Sequence, residues 1–177
     1  MRKICVITGT RAEFGLLRNV LNGFKDAADV TLQLIVTGAH LVAEHGNTYE
    51  EICSAGFKID AKVDMLLASD SQSAVGQSIG LGVIGLTNSL ARLKPDIVML
   101  LGDRFEALAA AQSAMVLNIP IAHIHGGEAT EGLIDEAIRH SITKMAHVHF
   151  TSAEPFRRKV IQTVSYTHLT LPTIFRV

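Results

Sequence analysis

Short apolar runs that end at glycine and polar residues recur along this chain. Four of them occupy residues 4–8, 32–36, 97–101 and 119–124. Each run has the length and β-branched content of a buried parallel strand. A longer segment with helical spacing follows each run, so the pattern predicts strands that alternate with helices.

The predicted strands cover residues 3–8, 30–37, 58–63, 97–101, 119–124 and 147–151. The predicted helices cover residues 11–28, 73–93, 104–117, 132–145 and 153–162, and residues 40–55 are expected to be irregular or to form a short helix. Alternating βα units favour an α/β fold with a parallel, right-handed, doubly wound sheet.

Glycines interrupt the pattern of the long helix predicted over residues 73–93. They are Gly76, Gly80, Gly82 and Gly85. A glycine costs a helix up to about 1 kcal/mol. The helix is therefore expected either to pack closely on a neighbour or to be partly broken. A mobile or substrate-facing helix start near residues 71–78 is the weaker alternative.

Composition excludes several classes of protein. The chain has 177 residues, of which 48% are hydrophobic and 19% charged, which fits one globular domain and argues against disorder. A formal net charge of −1, aromatics at only 5% and no Trp give no basis for binding nucleic acid. No run reaches about 18 apolar residues, so no membrane span is expected.

The chain has two cysteines, Cys5 and Cys53, far apart in the sequence. Two isolated thiols in an α/β chain are expected to be buried apolar fillers in a reducing compartment. The apolar stretch at the start is too short for a signal peptide. We therefore expect a cytoplasmic protein.

Polar residues follow the ends of the predicted strands. In open α/β sheets, ligands bind outside the carboxyl ends of the strands. We therefore expect one cluster at one edge of the sheet, made of Arg11, His40, Asp103, His125 and Glu128.

The segment that follows the first strand begins with Gly9-Thr10-Arg11 and opens a helix. Glycine allows a tight turn, and a helix N-terminus offers free N–H groups to an anion. Arg11 could add a bidentate contact to phosphate. The spacing matches neither a dinucleotide fingerprint nor a phosphate-binding P-loop, and an ordinary turn with a surface Arg is the alternative.

Asp103 lies directly after the apolar run at residues 97–101 and Gly102. Its position at the ligand edge favours a functional role. The alternative is a simple helix cap, because Asp is a preferred N-cap residue.

His123-Ile124-His125-Gly126-Gly127-Glu128 is the most specific of these motifs. The two-residue period of a strand predicts that His123 and His125 point to the same side. A His-x-His pair could hold zinc, but no Cys or third His lies nearby in the sequence. An acid–base role for His125 and Glu128 fits better, and no metal is expected.

Asp135 and Arg139 lie in the helix predicted over residues 132–145. Asp135 near the helix start is expected to face the crevice beside Glu128. Helix electrostatics, including an i,i+4 ion pair between Asp135 and Arg139, is the alternative explanation.

Taken together, the motifs resemble the UDP-N-acetylglucosamine 2-epimerase family, and within it the hydrolysing branch of sialic-acid and related nonulosonate biosynthesis. The resemblance covers about residues 2–162. It is carried by the segments at residues 8–15, 36–40, 101–106, 123–128 and 134–145. It implies that the chain is the Rossmann-like N-terminal half of a two-domain GT-B-type fold.

The resemblance also implies a mechanism without a cofactor. The sugar loses its C2 proton, UDP leaves from C1, and water adds to the glucal-type intermediate, which gives free N-acetylmannosamine or a related sugar. Asp103, Glu128 and Asp135 match positions proposed for proton transfer. Some relatives have Glu at the position of His125, so the roles of His125 and Glu128 stay undivided.

The substrate-binding residues expected from the resemblance are Gly9, Arg11, Glu13, Gly38, His40 and Arg139. Arg11 matches a position expected near the diphosphate. The implied partner is a UDP-sugar, either UDP-N-acetylglucosamine or a diacetamido analogue. A homo-oligomer is expected for the full-length form, with neither nucleic acid nor membrane as partner.

The family pattern stops after Gln162. We expect residues 1–162 to form the epimerase domain and residues 163–177 to be a foreign tail, which would make this polypeptide an inactive fragment. Two other functions stay open: a non-catalytic nucleotide-sugar-binding module and a fragment of a related two-domain glycosyltransferase.

Overall fold

The computed structural model describes residues 1–129 and 134–164. Six strands alternate with helices in this part of the chain. The strands are β1 (Arg2–Thr8), β2 (Val30–Thr37), β3 (Ala61–Val63), β4 (Ile97–Leu101), β5 (Ile121–Ile124) and β6 (Val148–Phe150). The helices are α1 (Arg11–Asp26), α2 (Tyr49–Ser54), α3 (Gln72–Leu93), α4 (Phe105–Val116), α5 (Ile134–Met145) and α6 (Glu154–Val164).

All six strands are parallel and lie in the order β3-β2-β1-β4-β5-β6. The order reverses between β1 and β4, which is the topological switch point of a doubly wound sheet. The predicted fold class is confirmed. Since every strand runs the same way, the segments after β1, β2, β4, β5 and β6 share one edge.

Helices cover the sheet on two faces. Phe14 and Leu17 of α1 and Ile52 of α2 pack on one face, against β1, β2 and the middle of β4 and β5. Helices α3, α4 and α5 pack on the other face, where Leu86 and Ile142 are fully buried. Alternate residues of each strand face opposite layers, so strands buried on both sides consist almost wholly of apolar residues.

Three strands are shorter than predicted: β3, β5 and β6, the last of which lacks one predicted residue at each end. Asp60 exchanges hydrogen bonds with the backbone of Leu34 before β3 begins at Ala61, so β3 lacks the first three residues predicted for it. Strand β5 begins after Pro120, which has no N–H for the ladder. The predicted helix over residues 132–145 begins among residues outside the described part, and its described portion runs from Ile134.

The glycine-containing helix α3 is continuous over its 22 residues. A Cβ on Gly82 would lie 2.6 Å from Met65 Cε, and one on Gly85 would lie 2.5 Å from Val63 Cγ1. Close packing, rather than a break, therefore accounts for these two glycines. Gly76 and Gly80 face open space.

The two thiols differ in environment. Cys5 is fully buried in β1, and burial raises its pKa to about 12. Cys53 is exposed on the short helix α2, so the expectation that it is buried was wrong. Within residues 1–129 and 134–164, no helix is long and apolar enough to cross a membrane.

Candidate functional site

The turn from β1 into α1 is closed by a capping box. Thr10 Oγ1 accepts a hydrogen bond from the Glu13 N–H at 3.3 Å, and Glu13 Oε2 accepts one from the Thr10 N–H at 3.3 Å and another from the Gly9 N–H at 2.7 Å. Burial raises the pKa of Glu13 to about 7, despite the hydrogen bond from Gly9, and the charge of Glu106 adds to the rise. The carboxyl group of Glu13 therefore organises the turn that carries Gly9 and Thr10.

Glu106 is a buried charge that the sequence analysis did not select as a site residue. It is 2% exposed and receives two hydrogen bonds from Arg104, at 3.1 and 3.2 Å. A Cβ on Gly9 would lie 3.2 Å from Glu106 Cγ, and one on Gly38 would lie 2.8 Å from Glu106 Oε1. The two glycines thus make room for this carboxylate. The sequence did offer one signal for Glu106, because it is the single charged residue of α4.

His40 is fully buried behind the ends of β1 and β2. Its Nε2 lies 3.1 Å from Thr8 Oγ1, and its Nδ1 lies 2.7 Å from Thr48 Oγ1. Burial lowers its pKa to about 4, so the ring is neutral at physiological pH. His40, which follows β2, therefore connects to the end of β1 and to the start of α2. It lies behind the sheet edge where it was expected to contact substrate.

Arg11 lies at the first position of α1 with its side chain 71% exposed. Its Nε donates a hydrogen bond to Glu51 of α2 at 2.9 Å. Arg11 therefore lies just beyond the carboxyl end of β1, as predicted, and contacts α2.

Arg139 brings together three of the predicted site residues. Its guanidinium is 8% exposed and donates to the carboxylate of Asp103 and, at 2.6 Å, to the backbone carbonyl of His125. Its Nη1 also lies 3.6 Å from Glu128 Oε2. Residues after β4 and β5 therefore meet at one cation from α5, which agrees with the predicted cluster.

Glu128 lies at the centre of this cluster. His125 Nδ1 is 2.8 Å from Glu128 Oε1, and Ser152 Oγ donates to the same oxygen at 2.5 Å. Burial alone would raise the pKa of Glu128, but the Ser152 hydrogen bond together with His125 and Arg139 outweighs it, so the pKa is lowered. Ser152 was not predicted, although its position just beyond β6 follows the same pattern as the other residues.

His123 and His125 have separate environments. His123 is fully buried, with Nε2 2.7 Å from the Gly102 carbonyl and Nδ1 3.3 Å from Thr143 Oγ1. Its pKa is lowered to about 4, mainly by burial. β5 ends at Ile124 and His125 has φ +66°, so the strand alternation stops before His125. The two-residue period from which a shared side was predicted therefore does not extend to His125.

Asp135 is half-buried in the first turn of α5. Burial alone would lower the pKa of Arg104, but Glu106, Glu13 and Asp135 together outweigh it and raise that pKa. The charge of Asp135 thus interacts with Arg104, the residue that follows Asp103. Asp135 lies in the first turn of α5, the helix that also carries Arg139.

The site therefore has two adjoining parts. One consists of Asp103, His125, Glu128, Arg139 and Ser152, and the other of Gly9, Glu13, Gly38, Arg104 and Glu106. Among the residues that the structure describes, no group of three or more His, Cys, Asp or Glu side chains could hold a metal ion. Carboxylates, an imidazole and fixed cations provide groups for proton transfer and for binding an anion.

Residues 22–168 match the protein family described as UDP-N-acetylglucosamine 2-epimerase. A Campylobacter jejuni protein named GDP/UDP-N,N'-diacetylbacillosamine 2-epimerase (hydrolyzing) is 45% identical over 161 residues, which are 91% of this chain and 42% of that protein. A Legionella pneumophila UDP-N,N'-diacetylbacillosamine 2-epimerase (hydrolyzing) is 43% identical over 92% of this chain and 43% of its own length. The chain spans less than half the length of these curated relatives.

Solved structures agree on the fold. UDP-GlcNAc 2-epimerase from Neisseria meningitidis, bound to UDP-GlcNAc, superposes with a TM-score of 0.80 at 22% identity, over 95% of this chain and 45% of that one. A second solved structure of the family, from Listeria monocytogenes, superposes with a TM-score of 0.79 at 19% identity, over 90% of this chain and 42% of that one. Since the family match covers most of the chain, the chain belongs to the UDP-N-acetylglucosamine 2-epimerase family.

Proposed function

We propose that this chain supplies the acid–base half of a hydrolysing UDP-N-acetylhexosamine 2-epimerase. The reaction converts a UDP-linked 2-acetamido sugar and water to UDP and the free 2-epimeric sugar. For UDP-N-acetylglucosamine the product is N-acetylmannosamine. The observation that carries the proposal is the meeting of Asp103, Glu128 and His125 around Arg139 at the sheet's ligand edge.

The first step removes the C2 proton and breaks the C1–O bond to UDP. Glu128 is the proposed proton acceptor, because its carboxylate is ionised at neutral pH and lies among the hydrogen-bonding groups of the cluster. The departing diphosphate gains negative charge. Arg11, exposed at the start of α1, and the positive end of that helix's dipole support its stabilisation.

The second step adds water across the C1–C2 double bond of the glucal-type intermediate. A proton must reach C2 from the opposite face of the ring, and a base must take a proton from the water that attacks C1. Asp103 and Asp135 are two further carboxylates at this edge, and His125 is hydrogen-bonded to Glu128. We assign these two proton transfers to Asp103, Asp135 and His125.

Activity in this proposal requires the second half that the relatives possess. Closing two domains over a substrate excludes water and completes such sites. We further propose that residues 1–162 form the family domain, residues 163–177 a foreign tail, and that the whole enzyme is cytoplasmic, homo-oligomeric and active in sialic-acid or related nonulosonate biosynthesis.

The test joins residues 1–162 to the second half of the Campylobacter jejuni relative. UDP release from UDP-N-acetylglucosamine and from its diacetamido analogue is measured in D₂O, together with deuterium at C2 of the free sugar. Release of UDP with one deuterium at C2 supports the proposal. UDP release without deuterium would exclude proton abstraction at C2, and sugar transfer to an acceptor would indicate a glycosyltransferase.

The 177 residues alone serve as the second arm of this experiment. We expect them to release no UDP. Robust turnover by them would overturn the requirement for a second domain and the view of residues 163–177 as foreign.

A further inference from the structure

A serine from the segment after β6 contacts the carboxylate that the proposed reaction uses as a base. Ser152 Oγ donates to Glu128 Oε1 at 2.5 Å, although the two residues are 24 positions apart in the chain. His125 Nδ1 lies 2.8 Å from the same oxygen. Nη1 of Arg139 lies 3.6 Å from the other oxygen, Oε2. The two oxygens of Glu128 are therefore in different environments.

Gly127 allows the segment after β6 to approach the loop after β5 closely. The His125 N–H donates to the Phe150 carbonyl at 2.8 Å, which joins this loop to the end of β6. Gly127 has φ +81°, and a Cβ on it would lie 2.5 Å from the Phe156 carbonyl oxygen in α6. A larger residue would push the first turns of α6 away from the loop. The glycine therefore keeps Ser152, just before α6, within reach of the carboxylate.

Ser152 fixes Glu128 in a way that His125 does not. His125 belongs to the same loop as Glu128, so its own position follows that of the loop. Ser152 comes from a different segment, and its hydrogen bond fixes Glu128 Oε1 relative to the sheet. Burial raises the pKa of Glu128, but the Ser152 hydrogen bond together with His125 and Arg139 outweighs it and lowers that pKa. Since Oε1 is occupied by two donors, Oε2 is the oxygen that can take a proton.

We propose that Ser152 is a positioning residue that holds Glu128 with Oε2 toward the C2 proton of the bound sugar. The inference rests on the proposed function and adds a residue to it. Oε2 forms the new O–H bond, the electrons of the C2–H bond form the C1–C2 double bond, and the C1–O bond to UDP breaks. The Ser152 hydroxyl keeps its own proton throughout and acts through Glu128.

The first experiment measures the titration of the Glu128 carboxyl group by ¹³C NMR in the 177-residue chain, which requires no catalysis. Ser152→Ala removes a donor to the ionised form, so the pKa of Glu128 should rise. Ser152→Thr keeps a hydroxyl group and should keep the unsubstituted titration. Ser141→Ala is the matched control, because the exposed Ser141 hydroxyl donates to the Ala137 carbonyl within α5. It should leave the titration of Glu128 unchanged.

The second experiment measures UDP release by the protein that joins residues 1–162 to the second half of the Campylobacter jejuni relative. Ser152→Ala should lower kcat by about 10–100-fold with KM changed less than about twofold, since misplacing a reacting group by about 1 Å costs up to ~10² in rate. The acidic limb of the pH profile of kcat/KM should move to higher pH, because Glu128 must be ionised to act. Ser152→Thr should restore the rate and the profile, and Ser141→Ala should retain both.

The two experiments separate the failure of the inference from that of the proposed function. If Ser152→Ala leaves the Glu128 titration or kcat unchanged, the role of Ser152 is overturned and the proposed function stands. A loss in Ser152→Thr as large as in Ser152→Ala would also overturn it, because packing rather than the hydroxyl would then matter. If the unsubstituted joined protein releases no UDP, the proposed function fails and the role of Ser152 falls with it, whatever the titration shows.

Discussion

Arg139 on α5 forms an ion pair with Asp103, which lies two residues beyond β4. The two side chains are only 8% and 18% exposed. Because the same guanidinium also donates to the His125 carbonyl, it links α5 to the segments that follow both β4 and β5. Arg139 therefore holds together the part of the candidate site that contains Asp103, His125 and Glu128.

Arg139→Gln should lower the free energy of unfolding by about 3 kcal/mol or more. Removing one partner of a buried ion pair leaves the other charge in a poorly solvated position, and such changes cost ~3–5 kcal/mol. Urea denaturation followed by circular dichroism measures the loss. Arg158→Gln is the control, because its pair with Glu154 is largely exposed and should contribute at most ~1 kcal/mol. Equal losses in the two variants would contradict the importance given to Arg139.

Asp103→Asn and Glu128→Gln should each lower kcat about 100-fold or more in the protein that carries residues 1–162 and a second domain. A positioned acid or base typically contributes 10²–10⁴-fold to a rate. Steady-state UDP release gives kcat. Glu50→Gln, on the exposed side of α2, should retain the unsubstituted rate. Near-normal turnover in either site variant would remove that residue from the proton-transfer steps.

Glu13 should make stability depend on pH between about 4.5 and 7. Its pKa rises from 4.5 in the unfolded chain to about 7 in the fold, so the folded state binds the proton more tightly. The stability that Glu13 contributes by binding this proton is fully present below pH 4.5 and is lost as the pH rises through 7. Unfolding free energies of the unsubstituted chain and of Glu13→Gln, measured from pH 4 to 8, give the difference.

The difference between the unsubstituted chain and Glu13→Gln should fall with rising pH and become flat above pH 7. Glu50→Gln should reproduce the unsubstituted profile, since Glu50 is exposed. A difference that stays constant from pH 4 to 8 would show that folding does not raise the pKa of Glu13.

Gly38→Ala should destabilise the fold more than Gly46→Ala. Both glycines have positive φ, +59° and +83°, a conformation that costs a side chain about 1–2 kcal/mol. Only at Gly38 would the added Cβ also lie 2.8 Å from Glu106 Oε1 and 2.9 Å from the Gly9 carbonyl oxygen. Thermal unfolding of both variants measures the difference. Similar melting temperatures would mean that Glu106 and the Gly9 carbonyl both move aside without cost.

Much of the fold followed from the order of apolar runs and helical segments. β2 and β4 have the predicted bounds, and the helices differ by a few residues at their ends. Buried parallel strands are apolar on both faces, and this makes them visible as continuous runs. Where the bounds differ, local effects decide them. Pro120 has no N–H to donate to a neighbouring strand, and the Asp60 side chain accepts the Leu34 N–H in place of a strand backbone carbonyl.

The same topology brought Asp103 and Glu128 to one edge, because parallel strands present their carboxyl ends together. The sequence could not divide the polar residues of that edge into exposed and buried ones. His40 and His123 proved fully buried and are held by hydroxyl and carbonyl partners, whereas His125 reaches Glu128. Burial depends on which segments fold over a residue, and those segments are distant in sequence.

The sequence by itself determined the alternation of strands and helices, the sheet edge that carries the chemistry and the resemblance to the epimerase family. Only the tertiary structure decided that Arg139 collects Asp103 and Glu128, that Glu106 fills the space beside Gly38, and that a cavity opens next to Arg104. Local propensity and periodicity act over a few residues and are written in the sequence. Ion pairs and cavities arise between side chains that only folding brings together.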